Sequence, residues 1–480
     1  MWTILDFLRR NKIFVAVVTL AALALRLFFV FRFPHVAGDT FIYGDIAKTW
    51  LHHGIYGFTE NGLVRPTLVR LPGYPAFLAG MFSLFGQDHY GAVMIAQAAI
   101  DTNVCLVIAA LALEMTSEKA ARIAYLLAAL CPFTANYAAA PLTETLAIAC
   151  AAHALYYGVR GLKTLSEGGT GRLLWLVAGL WSAAGILIRP DGALVPAGIG
   201  LGLLYCLWKA PRGALRTRQI VLAGLILLSV TVAPLLPWAT RNWRTFHVFQ
   251  PLAPRYANDP GEFLPVGFNR WVRTWIADYV SVEEVYWPVS GEPVDVRRLP
   301  RRAFDSDEEY RQTAELIRRY NDQLYVGEDL DPEFERLARE RVARHPLRYY
   351  LGLPALRVAG MWLRPRTEML PLSPRWWQYG DHPAESIISG GMAALNFFLL
   401  VLALVGWRRR PPDACGIALA GFVLLRSAFL GSLENPEPRY MLECFPVILA
   451  LAGGALARKA NGAEGQPAVA DQNLAADKHR

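Results

Sequence analysis

Apolar residues in this chain are gathered into long blocks separated by short polar loops and two extended polar insertions. Ten blocks stand at 13–32, 90–113, 119–138, 142–160, 172–189, 192–208, 219–238, 387–407, 414–431 and 440–457. Each has about the 20 residues that an α-helix needs to cross a ~30 Å hydrocarbon core. Within a block the apolar residues keep no single face, as expected of helices surrounded by lipid and other helices. The pattern predicts an all-α polytopic membrane protein of about ten transmembrane helices.

The polar residues between the blocks set the orientation. Every second short loop is basic: Arg9, Arg10 and Lys12; Lys119 and Arg122; Arg160, Lys163 and Arg172; Lys209, Arg212, Arg216 and Arg218; Arg408, Arg409 and Arg410; Arg458 and Lys459. Basic loops stay on the cytoplasmic side, so both termini are expected there. Residues 75–86 are apolar but too short to span, and counting them would invert the later loops. They are expected to form a helix in the outer interface. The first block is read as a retained anchor, because Arg26 interrupts it and no small-residue cleavage motif follows.

This topology divides the chain into an N-terminal transmembrane module, 1–238, an extracytoplasmic domain, 239–386, C-terminal transmembrane helices, 387–457, and a disordered tail, 458–480. The first outer loop, 33–89, carries interfacial helices. The 239–386 insertion is expected to be small and mostly helical, with helices at 307–325 and 332–345. Asp331 serves as N-cap of the second, with Pro332 opening it. The stretch from Pro346 to Pro365 mixes Leu, Tyr and Trp with Arg and is expected to pack on the membrane surface.

Composition adds little beyond this. The chain is 54% hydrophobic with a net charge of +8. Much of the excess charge lies in the orienting loops, which argues against a nucleic-acid partner. The six cysteines lie in or beside apolar blocks without a CxxC pair, which argues against a disulfide framework or zinc site.

Chemistry-bearing residues collect at the ends of blocks on the outer side. After the first block come Gly38-Asp39-Thr40, Tyr43, Asp45 and Ala47, then Arg70-Leu71-Pro72-Gly73-Tyr74-Pro75. A carboxylate where membrane and water meet can act as a general base, as a metal ligand, or simply as a helix N-cap, and Asp39 is open to all three. Thr143-Glu144 opens the fourth block, and Arg189-Pro190-Asp191-Gly192 joins the fifth and sixth. Pro237-Trp238 and Arg241-Asn242 end the seventh, while Glu434, Glu437, Arg439 and Tyr440 precede the last. Any one of these has an ordinary explanation as a cap, a turn or a snorkelling arginine. Their coincidence at one face points to recognition of an anionic lipid headgroup, for which arginine is suited. Two charges lie deeper, Arg26 near 9 Å and Asp101 near 18 Å by the ~1.5 Å rise per residue, and they are expected to pair. A transporter or flippase is the rival class, but it would place polar residues near the midplane rather than at one face.

The order Asp-x-x-x-Tyr-x-x-x-Ala, then Arg-x-Pro-Gly-Tyr-Pro, Thr143-Glu144, Arg189-Pro190-Asp191-Gly192, Pro237 to Trp243, His345-Pro346 and Glu437-Pro438-Arg439-Tyr440 resembles the C-type-fold, polyprenyl-phosphate-sugar-dependent glycosyltransferases. The similarity is to the bacterial relatives of protein O-mannosyltransferases and of lipid A aminoarabinose transferase. It implies a bacterial inner-membrane enzyme that uses a polyprenyl-phosphate sugar donor and an extracytoplasmic lipid, glycan or protein acceptor. Asp39 would be the base or a metal ligand, with Glu144 and Asp45 serving acceptor or metal. Arg70, Arg189, Arg241 and Arg439 are the candidates for donor phosphate, from charge and depth. Tyr43, Tyr74, Asp191, Asn242, Glu437 and Tyr440 would support them, and a divalent metal would sit on Asp39 and Glu144. One departure stands out: protein O-mannosyltransferases carry an Asp-Glu pair in the first loop, where this chain has Asp39-Thr40.

Overall fold

A computed structural model describes residues 4–209 and 214–457. The tail at 458–480, with Arg458 and Lys459, and Arg212 of the fourth basic loop lie outside the described residues. Helix covers most of every apolar block. The first half of the chain holds α1 (Lys12–Arg32), α2 (Asp39–His53), α3 (Gly73–Phe85), α4 (Tyr90–Met115), α5 (Glu118–Ala129), α6 (Glu144–Ser166), α7 (Arg172–Ile188), α8 (Leu194–Lys209), α9 (Ala214–Val232) and α10 (Leu235–Phe246). The insertion contributes α11 (Val266–Arg273), α12 (Asp307–Gln323), α13 (Asp331–Arg344) and α14 (Leu353–Leu363), and the chain closes with α15 (Pro383–Arg408), α16 (Ala414–Gly431) and α17 (Phe445–Ala457).

Among the described residues, seven helical stretches are long and apolar enough to cross a membrane. They are α1, α4, α8 with its preceding turn, α9 running into α10, α15, α16, and α17 with its preceding turn. The other three blocks are helical but differ in kind. α7 is apolar yet only 17 residues long, and α6 is long but carries His153, Arg160 and Lys163. α5 stops at Ala129 because Pro132 cannot continue it, and a short helix, Pro132–Ala135, and a 3₁₀ turn, Asn136–Ala139, complete that block.

That break explains a charge inside the bundle. An interrupted helix leaves its last carbonyls without their usual amide partners four residues on. Arg26 of α1 donates to two of them, Ala128 at 3.0 Å and Ala129 at 2.5 Å, and its Nε meets Asp101 of α4 at 2.9 Å. Both partners are buried, so the pair anticipated from depth alone forms, and it closes the end of α5 as well.

The first outer loop holds one element that the apolar pattern did not predict. Residues Gly57–Glu60 (β1) and Leu63–Pro66 (β2) pair antiparallel across Asn61-Gly62. Both turn residues have positive φ, 52° and 80°, the conformation that an Asn-Gly hairpin turn requires. The helix expected at 75–86 is α3.

The 239–386 insertion has its own core, in which Trp271, Trp275, Leu316, Phe334 and Leu337 are buried together. α12 starts at Ser306, whose hydroxyl accepts the Glu309 amide at 3.2 Å. Asp331 does not cap α13 as expected. It is the first helical residue, and its carboxylate accepts the amides of Gly267 and Phe268 at 3.0 and 2.9 Å, fastening α13 to α11. In the Pro346–Pro365 stretch, α14 leaves Leu356 and Leu363 exposed.

Candidate active site

Seven segments meet at one end of the bundle around a cavity of about 720 Å³. Asp39 opens α2 after Gly38, whose φ of +55° turns the chain into the helix. Its carboxylate makes no cap bond to its own helix and instead accepts Nη2 of Arg70 at 2.9 Å. One turn further along the same face, the Tyr43 ring lies 5.7 Å from the Arg70 guanidinium. Burial pushes the Tyr43 hydroxyl up to about 12, with Arg70 opposing the rise and Asp39 adding to it. For Arg70, burial alone would lower the pKa, but the neighbouring Tyr43 and Asp39 outweigh it and the value is raised.

Arg70 reaches this position through two neighbours. The Tyr56 hydroxyl donates to the Arg70 carbonyl at 2.9 Å. Gly73 brings the start of α3 against the end of α7, where a Cβ would lie 2.7 Å from the Leu187 carbonyl oxygen, so only glycine fits. Tyr74 follows, its ring 5.1 Å edge-on to Tyr43 and its hydroxyl donating to Gln97 at 2.9 Å.

Arg189 ends α7 and is the hub of the inner part. It lies 3.2 Å from Glu144, 3.3 Å from Asp191 and 3.5 Å from Glu443, and it donates to the Thr143 hydroxyl at 3.2 Å. The Tyr440 ring covers it at 4.8 Å. The Pro190-Asp191-Gly192 turn folds tightly onto α7, and a Cβ at Gly192 would meet the Gly185 backbone at 2.7 Å. Arg439 completes the group, 2.5 Å from Glu437 and 3.6 Å from Glu144, while Tyr440 donates its hydroxyl to Glu437 at 2.5 Å. Glu144 begins α6, where the helix dipole favours a carboxylate.

Every arginine lining the cavity thus faces a carboxylate, yet hydrogen-bonding capacity is left over. Nε of Arg70 is a buried donor without a hydrogen-bond partner, and Oε2 of Glu144 is a buried acceptor without one. Buried polar groups are rarely left unpaired. An orphan arginine donor in a cavity that Arg189 and Arg439 also line suits an anion with several oxygens.

Some predicted residues stand elsewhere. Arg241 does not line the cavity. Its guanidinium donates to the carbonyls of Tyr56 at 2.7 Å and Thr67 at 2.6 Å and is enclosed by the rings of Tyr56, Trp238 and Phe246. It holds the two ends of the β1–β2 hairpin, and so fixes the tyrosine that holds Arg70. Its donors are committed to those carbonyls, so phosphate contact is reassigned away from it. Asn242 is buried and donates to the Gln250 carbonyl at 2.7 Å. Asp45 accepts the Thr59 amide at 2.7 Å, pinning the hairpin to α2, and does not line the cavity either.

The structure also recruits residues the sequence reading passed over. Arg426, fully buried in α16, lies 2.9 Å from Asp191 and 2.7 Å from Glu443 and donates to the Tyr440 carbonyl at 2.7 Å. Both it and Glu443 are charges inside apolar blocks, the same signal that singled out Arg26 and Asp101. The insertion supplies Arg255, Tyr256, Tyr286 and Trp287 to the wall, with Glu434 and Asn435 beside them.

A divalent metal was expected on Asp39 and Glu144. Among the described residues, no group of three or more His, Cys, Asp or Glu side chains stands together as a metal site. The two carboxylates each face a guanidinium already, at 2.9 Å for Asp39 and 3.2 Å for Glu144. Hard divalent cations want several oxygen ligands free of competing positive charge, and this donor set does not fit one.

Residues 65–238 match the family described as dolichyl-phosphate-mannose-protein mannosyltransferase. No curated protein matches the chain in sequence. Among solved structures, the archaeal oligosaccharyltransferase AglB from Archaeoglobus fulgidus, in complex with an inhibitory peptide and a dolichol-phosphate, aligns with a TM-score of 0.51 at 13% identity, over 92% of this chain and 50% of that one. The A. fulgidus oligosaccharyltransferase tethered to an acceptor peptide gives 0.53 at 13% identity, over 93% and 50%. ArnT from Cupriavidus metallidurans bound to undecaprenyl phosphate is 16% identical over 94% of this chain and 78% of that one, with a TM-score of 0.38. The chain spans about half the length of the oligosaccharyltransferase chains it matches. The oligosaccharyltransferase likeness shows a shared fold.

Proposed function

We propose that this chain transfers a sugar from a polyprenyl-phosphate donor to an acceptor on the extracytoplasmic side of a bacterial inner membrane, with both termini in the cytoplasm. The observation that carries this reading is the gathering of Asp39, Arg70, Glu144, Arg189, Arg439 and Tyr440 around one cavity, from segments far apart in sequence. The family match at 65–238 and the alternating basic loops support it.

The chemistry follows from the donor. Its isoprenoid tail keeps it in the bilayer, so its phosphate is met at the interface. The acceptor oxygen attacks C1 of the sugar from the side opposite the phosphate and gives its proton to Asp39. The C1–O bond breaks with its electron pair going to the phosphate oxygen, and the sugar is transferred with inversion. Phosphate is ionised at neutral pH and needs no acid to leave, so one base and fixed positive charge suffice. Arg70, Arg189 and Arg439 supply that charge, Arg70 through its unpartnered Nε. Arg70 holds Asp39 at 2.9 Å before substrate binds. Donor phosphate competes for the same guanidinium, so its arrival frees the carboxylate to take the acceptor's proton. Donor therefore binds before acceptor is activated.

The test is Asp39→Asn in purified, nanodisc-embedded protein with a labelled polyprenyl-phosphate sugar and envelope extract as acceptor. Transfer should fall by about 10²–10⁴ with unchanged thermal stability. Wild-type transfer by the folded variant would remove the proposed base.

A further inference from the structure

The cavity has two ends of different chemistry, and the function proposed above uses only one of them. Beyond the turn 434–440, Arg255 pairs with Glu434 at 2.9 Å, and its guanidinium lies 5.0 Å from the Tyr256 ring. Asn435 donates to the Tyr440 hydroxyl at 3.3 Å and links this end to the arginines. Tyr286 and Trp287 complete the wall, and Trp287 keeps 46% of its surface exposed although its edge meets Tyr279 at 5.6 Å. The Tyr256 and Tyr286 hydroxyls stand near Glu434 and Arg255, and among the described residues neither is hydrogen-bonded.

This end does not suit the donor. The sugar of a sugar phosphate sits one bond from its phosphate, and so belongs beside Arg70, Arg189 and Arg439. Nor does it suit another anion, since its one arginine is neutralised by a buried carboxylate. No strand edge lines it to pair with an extended peptide, because β1 and β2 are not part of the cavity. Flat aromatic faces set among unpaired hydroxyls, an amide and a carboxylate match a pyranose, which presents C–H patches on its faces and hydroxyls around its rim. A cavity of about 720 Å³ lies within the roughly 300–1,000 Å³ usual for ligand pockets, with room for two rings.

We propose that Tyr256, Tyr286 and Trp287, with Glu434 and Asn435, form an acceptor subsite for an uncharged sugar ring, so that the product is a glycan extended by one residue. This rests on the glycosyltransferase reading, but binding can be tested without turnover. The probes are a series of methyl glycosides of neutral hexoses and disaccharides, and a Ser/Thr-rich peptide. Saturation-transfer NMR would measure their binding to the full chain in nanodiscs, with and without a non-transferable polyprenyl-phosphate sugar.

At least one glycoside should bind. Asp39→Asn should bind it equally well, and Trp287→Ala and Tyr256→Ala should each weaken it by about tenfold while retaining the polyprenyl-phosphate ligand, which certifies their fold. The lipid ligand should leave glycoside binding in place. The subsite is overturned if no glycoside binds, if the aromatic variants bind it as well as the parent, if the lipid ligand displaces it, or if only the peptide binds. Glycoside binding that depends on these rings in a protein that transfers nothing would leave the subsite standing and refute the glycosyltransferase reading instead.

Discussion

Arg426 offers the sharpest test of how the site is held. Its guanidinium is fully buried and touches two carboxylates, Asp191 at 2.9 Å and Glu443 at 2.7 Å, while Arg189 touches the same two at 3.3 and 3.5 Å. Two unit charges about 4 Å apart attract by about 4 kcal/mol at an effective dielectric near 20. Desolvation consumes much of that attraction as long as the pair is intact. Once one partner is removed, the desolvated carboxylates remain without their counter-charge. Arg426→Gln should therefore cost about 3–5 kcal/mol. Adding Glu443→Gln should recover part of the loss, with a coupling of at least about 1 kcal/mol, because the two side chains share one network. The measurement is the denaturant midpoint of the four proteins of the cycle in micelles, followed by tryptophan fluorescence. Transfer assays on the same proteins should show the donor KM rising in Arg426→Gln, since Arg189 then swings toward the unpaired acids. A single variant within about 1 kcal/mol of the parent, or a double variant no better than the single, would refute the idea that this network braces Arg189.

Two further outcomes follow from groups outside the bundle. Glu368 is buried with neither carboxylate oxygen hydrogen-bonded, and burial raises its pKa. A raised carboxylate contributes stability below its unfolded value, near 4.3, and loses it as pH rises through the folded value. Glu368→Gln should then stabilise the protein by about 1 kcal/mol or more at pH 8, with the gain vanishing in acid, as read by thermal unfolding across pH. Asp305 has the opposite sign: burial alone would raise it, but Arg348, at 2.6 Å, and Arg341 prevail and the value is lowered. Its contribution is present above the unfolded value, near 3.9, and is lost as pH falls through the lower folded one. Asp305→Asn should destabilise the insertion by about 1.5–3 kcal/mol at pH 7 and converge with the parent in strong acid, which proteolysis of the 239–386 region would report.

The chain by itself determined the helices and the end of the bundle at which its polar residues collect. Apolar blocks of spanning length can only be satisfied as helices, since an unpaired backbone in hydrocarbon is too costly, and that rule acts locally. Depth along a helix is likewise a matter of counting, and so Arg26 and Asp101 were matched before their contact at 2.9 Å was known. The Asn61-Gly62 turn was as local a signal as these, but it lay in a loop read for interfacial helices.

Tertiary structure alone decided which charges meet. Arg426 and Asp191 are 235 residues apart, and nothing in either segment specifies the other. Arg241 stands in a motif beside Asn242 that reads like the rest of the site, yet the hairpin carbonyls of Tyr56 and Thr67 claim its donors. The side of the cavity built by Arg255, Tyr256, Tyr286 and Trp287 comes from an insertion whose own core is legible but whose placement against the bundle is not. Periodicity and turn chemistry act between neighbours in sequence. The partner of a charge depends on how whole helices pack, and on which carbonyls the end of a helix or a hairpin presents to it.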